Sequence, residues 1–252
     1  MRVLTQARDL ARRKARDRDG LCVVEGIRAV EELLASPLRV VGVLCGPQLV
    51  DSPRGAQLRA TLDRAGHVTS DVSEREFASA ATTESPQGVL VIAERPVRTL
   101  TTLAVHAGFR LLVLDALQDP GNVGTLLRTA HALGADATVA LPGTVDLWNA
   151  KVVRSAMGSL FRHHALHASV EELSAFLARD SVPLWGADAA GTPVGDLAVP
   201  PALALAVGNE GAGLTPPVRS LARQLVSLPM RGDTESLNAA VAASILLWEL
   251  QP

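Results

Sequence analysis

Three short stretches put polar, chemically competent side chains where an apolar run gives way to a loop or helix. In "LDALQDPGNVGTLLRTA" (114–130) a strand stops at Asp119 and Pro120, and a helix starts at once. Asn122 stands at the helix start, Gly124 two residues on and Arg128 six residues on. An Asn there can cap the helix, while Arg128 falls about 240° around it from Asn122. "VGNEGAGL" (207–214) follows a second apolar run. Gly208, Gly211 and Gly213 let the backbone approach a ligand or take positive φ. The stretch lacks the order of a dinucleotide fingerprint and the Lys-Ser/Thr of a phosphate loop, so it fits a plain turn or a ligand loop. Glu210 weighs toward the ligand loop, because a carboxylate among glycines can fix a positively charged partner. In "LPMRGDTESLNAAVAAS" (228–244) Ser236 and Asn238 both stand at a helix start. One cap needs one such residue, and the small residues that follow let the helix pack against a crowded core or a cofactor.

The elements that must position these residues alternate in type. Strands are expected at 21–26, 39–45 and 88–94, with helices at 27–36, 54–66 and 73–81. Ser73 and Glu76 have capping-box spacing. This reads as a small α/β domain over 1–94. Residues 95–108, with a Pro and a run of Thr, read as a connection. The second part, 109–252, restarts with the nearly continuous apolar run 109–117, as a buried parallel strand should. Further strands are expected at 137–141, 182–188, 202–208 and 224–230, and helices at 149–161, 215–223 and 236–250. Open α/β sheets bind ligands beyond the carboxyl ends of their strands, which is where all three stretches fall.

The 252 residues carry a net charge of −2, so bulk charge announces no polyanion partner. Residues 1–20 are locally basic, with Arg12, Arg13, Lys14 and Arg16 among them, and fit a solvated helix face or a phosphate contact. Cys22 and Cys45 lie in apolar runs and read as reduced core thiols. His163, His164 and His167 lack acidic or Cys neighbours at ligand spacing, so no metal is expected. No apolar run is long enough to span a bilayer, and a soluble, cytoplasmic protein is expected.

The three stretches in this order resemble the SpoU/TrmH family of RNA ribose 2′-O-methyltransferases, of the SPOUT superfamily. The family's first block is matched by Asn122, Gly124 and Arg128, its second by residues 208–213, and its third by Pro229, Met230, Ser236, Leu237 and Asn238. "KVVRSAMGSLFR" (151–162) is similar to the family's intervening segment, and "VVEGIRAVEELL" with "PQGVLVIAE" to its L30e-like substrate-binding domain. The resemblance implies a C-terminal parallel α/β domain with a trefoil knot, a homodimer, and S-adenosylmethionine as cofactor. It implies cofactor contacts at Ala187, Gly208, Asn209, Gly211, Leu228, Met230, Leu237 and Ala242. Catalytic roles are implied for Arg128, Asn122, Glu210, Ser236 and Asn238, and RNA contact for Arg12, Arg13, Lys14, Arg16 and Arg154. Gly124 would keep the helix surface bare for RNA, and Glu210 would orient Arg128 or the substrate.

The expected reaction is methylation of a ribose 2′-hydroxyl, in large-subunit ribosomal RNA first and in tRNA as the alternative. A non-catalytic RNA- or ribosome-binding protein is the reading from another class. A ribose hydroxyl is a poor nucleophile that must lose its proton as it attacks, so it needs activation and in-line placement. A guanidinium holds its proton far above neutrality. Arg128 therefore fits a stabiliser of developing alkoxide better than a general base. The chain has no Tyr and few other aromatics, which favours recognition by shape, phosphate and the 2′-hydroxyl over base stacking.

Overall fold

The computed structural model describes residues 2–230 and 237–251. The chain forms two compact units, residues 1–97 with 148–162, and residues 98–147 with 163–252. The stretch 148–162 thus lies with the first unit, although it is flanked on both sides by segments of the second.

The first unit opens with α1 (Arg2–Leu10) and α2 (Arg13–Asp19). Leu4, Ala7 and Leu10 recur on one face of α1 and are buried, so the local basic stretch belongs to a packed amphipathic helix pair. Next come β1 (Leu21–Glu25), α3 (Ile27–Leu34), β2 (Val40–Cys45), α4 (Pro53–Arg64), β3 (Thr69–Asp71), α5 (Glu74–Ala78) and β4 (Val89–Glu94). The sheet order is β1-β4-β2-β3, with β4 antiparallel to both neighbours and β3 parallel to β2. Ser73 and Glu76 form the expected capping box at α5. Cys22 and Cys45 are buried and joined in no disulfide among the described residues, and burial pushes the Cys45 thiol up to about 11.

The helix expected over 149–161 is two short ones, α7 (Ala150–Ser155) and α8 (Ser159–Arg162). They part where Met157 and Gly158 take φ of 48° and 85°. A Cβ on Gly158 would lie 2.6 Å from Glu32 Cβ, so the break lets the chain close on α3. Arg162 secures it by donating to Glu32 Oε2 (2.9 Å) and to the Ala35 carbonyl (3.1 Å).

The second unit contains β5 (Arg110–Leu114), α6 (Pro120–Ala132), β6 (Ala137–Ala140), β7 (His164–His167), α9 (Val170–Arg179), β8 (Leu184–Pro193), β9 (Leu203–Val207), α10 (Pro216–Leu221), β10 (Gln224–Ser227) and α11 (Ala239–Glu249). Its six strands run parallel in the order β10-β8-β9-β5-β6-β7. β5 and β9 are buried along their full length at the sheet's centre. A core of Phe109, Leu111, Val113, Val139, Leu173 and Phe176 covers one face, and α6 packs against α11.

The histidines near β7 have structural partners. His167 Nε2 accepts from the Leu147 N–H at 3.3 Å. His163 is buried, with Nε2 2.8 Å from Thr138 Oγ1. Burial, helped by His131, Arg98 and His164, pushes the His163 imidazole down to about 3. In the unfolded chain the same ring takes a proton near pH 6.5. His163 therefore stabilises the fold fully above that pH and loses its contribution as pH falls toward 3. The loss between pH 7 and pH 5 should be about 2 kcal/mol. Urea unfolding at the two pH values checks this, because His163→Gln should remove that part of the pH dependence.

Candidate active site

The carboxyl ends of the central strands carry the expected residues. α6 starts with Pro120, whose missing N–H costs nothing there. Its cap is Asp119, whose Oδ1 accepts from the Asn122 N–H at 2.8 Å. The expectation that Asn122 caps is thereby corrected: it lies inside the first turn, where its side chain is released for other work. Its Nδ2 donates to Glu210 Oε1 (2.7 Å), and its Oδ1 accepts from Asn238 Nδ2 (3.1 Å). Asn238 caps α11 as well, its Oδ1 accepting from the Ala240 and Val241 N–H groups. Glu210, expected to orient Arg128 or the substrate, engages Asn122. Arg128 is exposed on α6, and no hydrogen bond or ion pair holds it among the described residues. Gly124, expected to leave the helix surface bare for RNA, is buried. Ser236 lies outside the described residues.

The loop after β9 is built around Asn209. Its Oδ1 accepts from Gly211 and Ala212 N–H groups at 3.0 and 3.1 Å, and its Nδ2 donates to the Ala116 carbonyl at 3.1 Å. Asn209 and Gly213 also exchange backbone bonds of 3.0 and 2.9 Å. Ala116 sits at φ 56°, a conformation costly for a residue with a Cβ. Beside it, Asp115 is 1% exposed and accepts from the Thr215 N–H (2.6 Å) and Oγ1 (3.1 Å). Sequence reasoning missed Asp115, Ala116 and Thr215. Together they brace the strand-to-helix junction that bears Asn122 against the glycine loop that bears Glu210.

Next to that brace lies a cavity of about 570 Å³. Ala187, Gly208, Asn209, Gly211, Leu228, Met230, Leu237 and Ala242 all line it, as do Glu210 and Asn238. Asp188 lines it too; its carboxyl is held below the usual range by the Arg219 guanidinium and then by the Ala190 N–H. Among the described residues no cluster of His, Cys, Asp and Glu is suited to a metal ion.

The residues expected to meet RNA lie in the first unit and differ in availability. Arg12 is paired with Asp9, and Arg13 with Asp17 at 3.4 Å. Lys14 is exposed. Arg16 departs from the expectation: it is 6% exposed and donates to the Leu10 and Ala11 carbonyls at 2.8 Å each. Arg154 donates to Thr82 Oγ1 at 2.7 Å.

Residues 110–248, which hold the whole cavity, match the SpoU rRNA Methylase family. The chain belongs to that family. Residues 3–91 match the MRM3-like substrate binding domain. Among SpoU relatives, the chain is 34% identical to the 23S rRNA (guanosine(2553)-2'-O)-methyltransferase RlmP of Bacillus subtilis, over 95% of this chain and 92% of that one. It superposes on the SpoU methyltransferase AviRb from Streptomyces viridochromogenes in complex with AdoMet with a TM-score of 0.86, at 30% identity, covering 98% of this chain and 96% of that chain. An AdoMet-bound rRNA methyltransferase from Sinorhizobium meliloti gives 0.84 at 27% identity, covering 98% and 93%.

The SpoU site joins all three sequence blocks through Asn122. Truncating Glu210 or Asn238 alone frees a polar end of that amide, so Glu210→Ala with Asn238→Ala should be non-additive. A coupling of about 1 kcal/mol or more is expected in a double-mutant cycle read by single-turnover methyl transfer.

Proposed function

We propose that this chain transfers a methyl group from S-adenosylmethionine to a ribose 2′-hydroxyl of large-subunit ribosomal RNA, in the cytoplasm. The observation that carries this reading is the Glu210–Asn122–Asn238 chain of hydrogen bonds beside a cavity lined by the family's loops. The cavity fits the cofactor in kind. Its volume lies in the range of small-molecule sites, about 300–1,000 Å³. Val207, Val226, Leu228 and Leu246 offer apolar walls. The relatives' names and their bound AdoMet support the choice of reaction and cofactor.

When bound, S-adenosylmethionine supplies an electrophilic methyl group on a sulfonium. The backbone at Gly208, Leu228 and Leu237 would hold its adenosine. Glu210 and Asn238 fix the Asn122 amide, which orients the ribose. Arg128, exposed and unpaired among the described residues, stabilises the alkoxide as the hydroxyl proton leaves to water or phosphate.

The reading includes a homodimer and a knotted C-terminus. α11 is apolar on two sides. Ala240, Ala243, Leu246 and Leu247 are buried, while Val241, Ile245 and Trp248 form an exposed stripe. A second copy is the occupant that suits such a face on a helix carrying the Asn238 cap. Trp248→Glu should turn a dimer into a monomer in analytical ultracentrifugation.

The deciding experiment is methyl transfer from radiolabelled S-adenosylmethionine to total RNA from cells lacking the gene. Label in 23S rRNA supports the proposal. Label in tRNA keeps the reaction and overturns the substrate. No label in any RNA, together with no S-adenosylhomocysteine binding, favours the non-catalytic alternative.

A further inference from the structure

The first unit contains two cavities, of about 310 and 710 Å³, that share one lining residue, Arg154. The smaller is also lined by Lys151 and Arg16, the larger by Arg28 and Arg54. Among the described residues, Glu25 is the one acidic residue lining either cavity. Its side chain is 2% exposed and accepts from the Thr82 N–H (2.7 Å), Thr82 Oγ1 (2.6 Å) and Thr83 Oγ1. It lies 4.0 Å from the Arg154 guanidinium, so its charge is spent internally on that residue.

The remaining cations differ in what they have left to give. Arg54 is committed to Glu31 at 3.0 Å, and Arg16 to two backbone carbonyls. Arg28 and Lys151 are exposed, and neither side chain makes a hydrogen bond or ion pair among the described residues. One stands on each side of the wall formed by Arg154 and the adjoining Thr82 and Thr83. The arginine-rich start of the chain is more nearly self-neutralised, since Arg12, Arg13 and Arg18 face Asp9, Asp17 and Asp19.

We propose that the RNA backbone crosses this unit over Arg154, with its phosphates held by Arg28 in the larger cavity and Lys151 in the smaller. The inference rests on the reading that RNA is the substrate. It moves the electrostatic contact away from the basic N-terminal helices. It also gives the stretch 148–162 a role in gripping RNA, through Lys151 and Arg154. Contacts of this class fix affinity and register, not sequence. Two such contacts release counterions and steepen the salt dependence of binding.

The test measures binding of the full chain to a 23S rRNA transcript as a function of KCl concentration. Arg28→Gln with Lys151→Gln should flatten the slope of log affinity against log salt by roughly 1.5 to 2. Affinity at physiological salt should fall about tenfold or more, while S-adenosylhomocysteine affinity and melting temperature hold. A charge-matched control, Arg64→Gln with Arg75→Gln, removes two exposed arginines that line neither cavity. An unchanged slope in the Arg28/Lys151 variant, or equal flattening in the control, overturns the surface alone. Wild-type protein that binds S-adenosylhomocysteine but no RNA overturns the RNA reading, and the surface with it.

Discussion

Arg128→Ala should slow single-turnover methyl transfer about a hundred- to a thousandfold, the usual effect of removing one donor from a developing oxyanion. S-adenosylhomocysteine affinity should not change, because Arg128 is absent from the lining of the cofactor cavity. It projects from α6 beyond the turn that carries Asn122, and no acidic side chain holds it among the described residues. A cation so placed is available to a charge that forms only as the hydroxyl ionises, which is the kind of interaction that raises a rate. Arg128→Lys should keep part of the activity, since a cation remains even though the planar fork is lost. A lysine variant as inactive as the alanine one, with normal RNA and cofactor affinity, would count against alkoxide stabilisation.

The second large effect belongs to the glycine loop. A Cβ on Gly208 would lie 2.2 Å from the Gly213 carbonyl carbon, 2.3 Å from its oxygen and 2.4 Å from the Leu214 nitrogen. All three are backbone atoms, so no rotamer change relieves the clash. The loop must open, and the paired bonds between Asn209 and Gly213 go with it. Forcing a methyl into such a space costs about 1–3 kcal/mol. Gly208→Ala should therefore weaken S-adenosylhomocysteine binding by roughly 5- to 100-fold in calorimetry. Gly211→Ala gives the contrast: its Cβ meets only Asn209 Oδ1 at 3.7 Å, and the loop should keep its fold and melting temperature.

Much of this site was legible as sequence because strand ends are abrupt. The unbroken apolar run of β5 and β9 marks a buried parallel strand, so the polar residues just beyond must face a ligand or a turn. The capping box at Ser73 is local chemistry and was equally readable. Asn122 shows where local reading ends. A cap and a side chain reserved for a tertiary contact look alike in one dimension, and Asp119 proved to be the cap. The partners that hold the freed Asn122 side chain lie 88 and 116 residues away in sequence. Arg16 misled for the same reason, since nothing local says that a guanidinium will turn inward to two carbonyls. β7, just after the buried His163, has no strong alternation of its own and is set by pairing to β6. α9, with its Ser169–Glu172 capping box, carries a local signal of the same kind as Ser73–Glu76.

The excursion of residues 148–162 into the first unit bears on how the chain can fold during synthesis. Val152, Val153, Leu160 and Phe161 are buried there, and Arg162 closes the segment onto α3. The N-terminal unit is therefore incomplete when its own 97 residues have left the ribosome, and must wait for residue 162. By then β5, α6 and β6 of the other unit are already exposed, so the two units mature together rather than in succession. Cutting the gene at the linker should give two poorly soluble halves, one lacking a wall and the other carrying an apolar segment with nowhere to go.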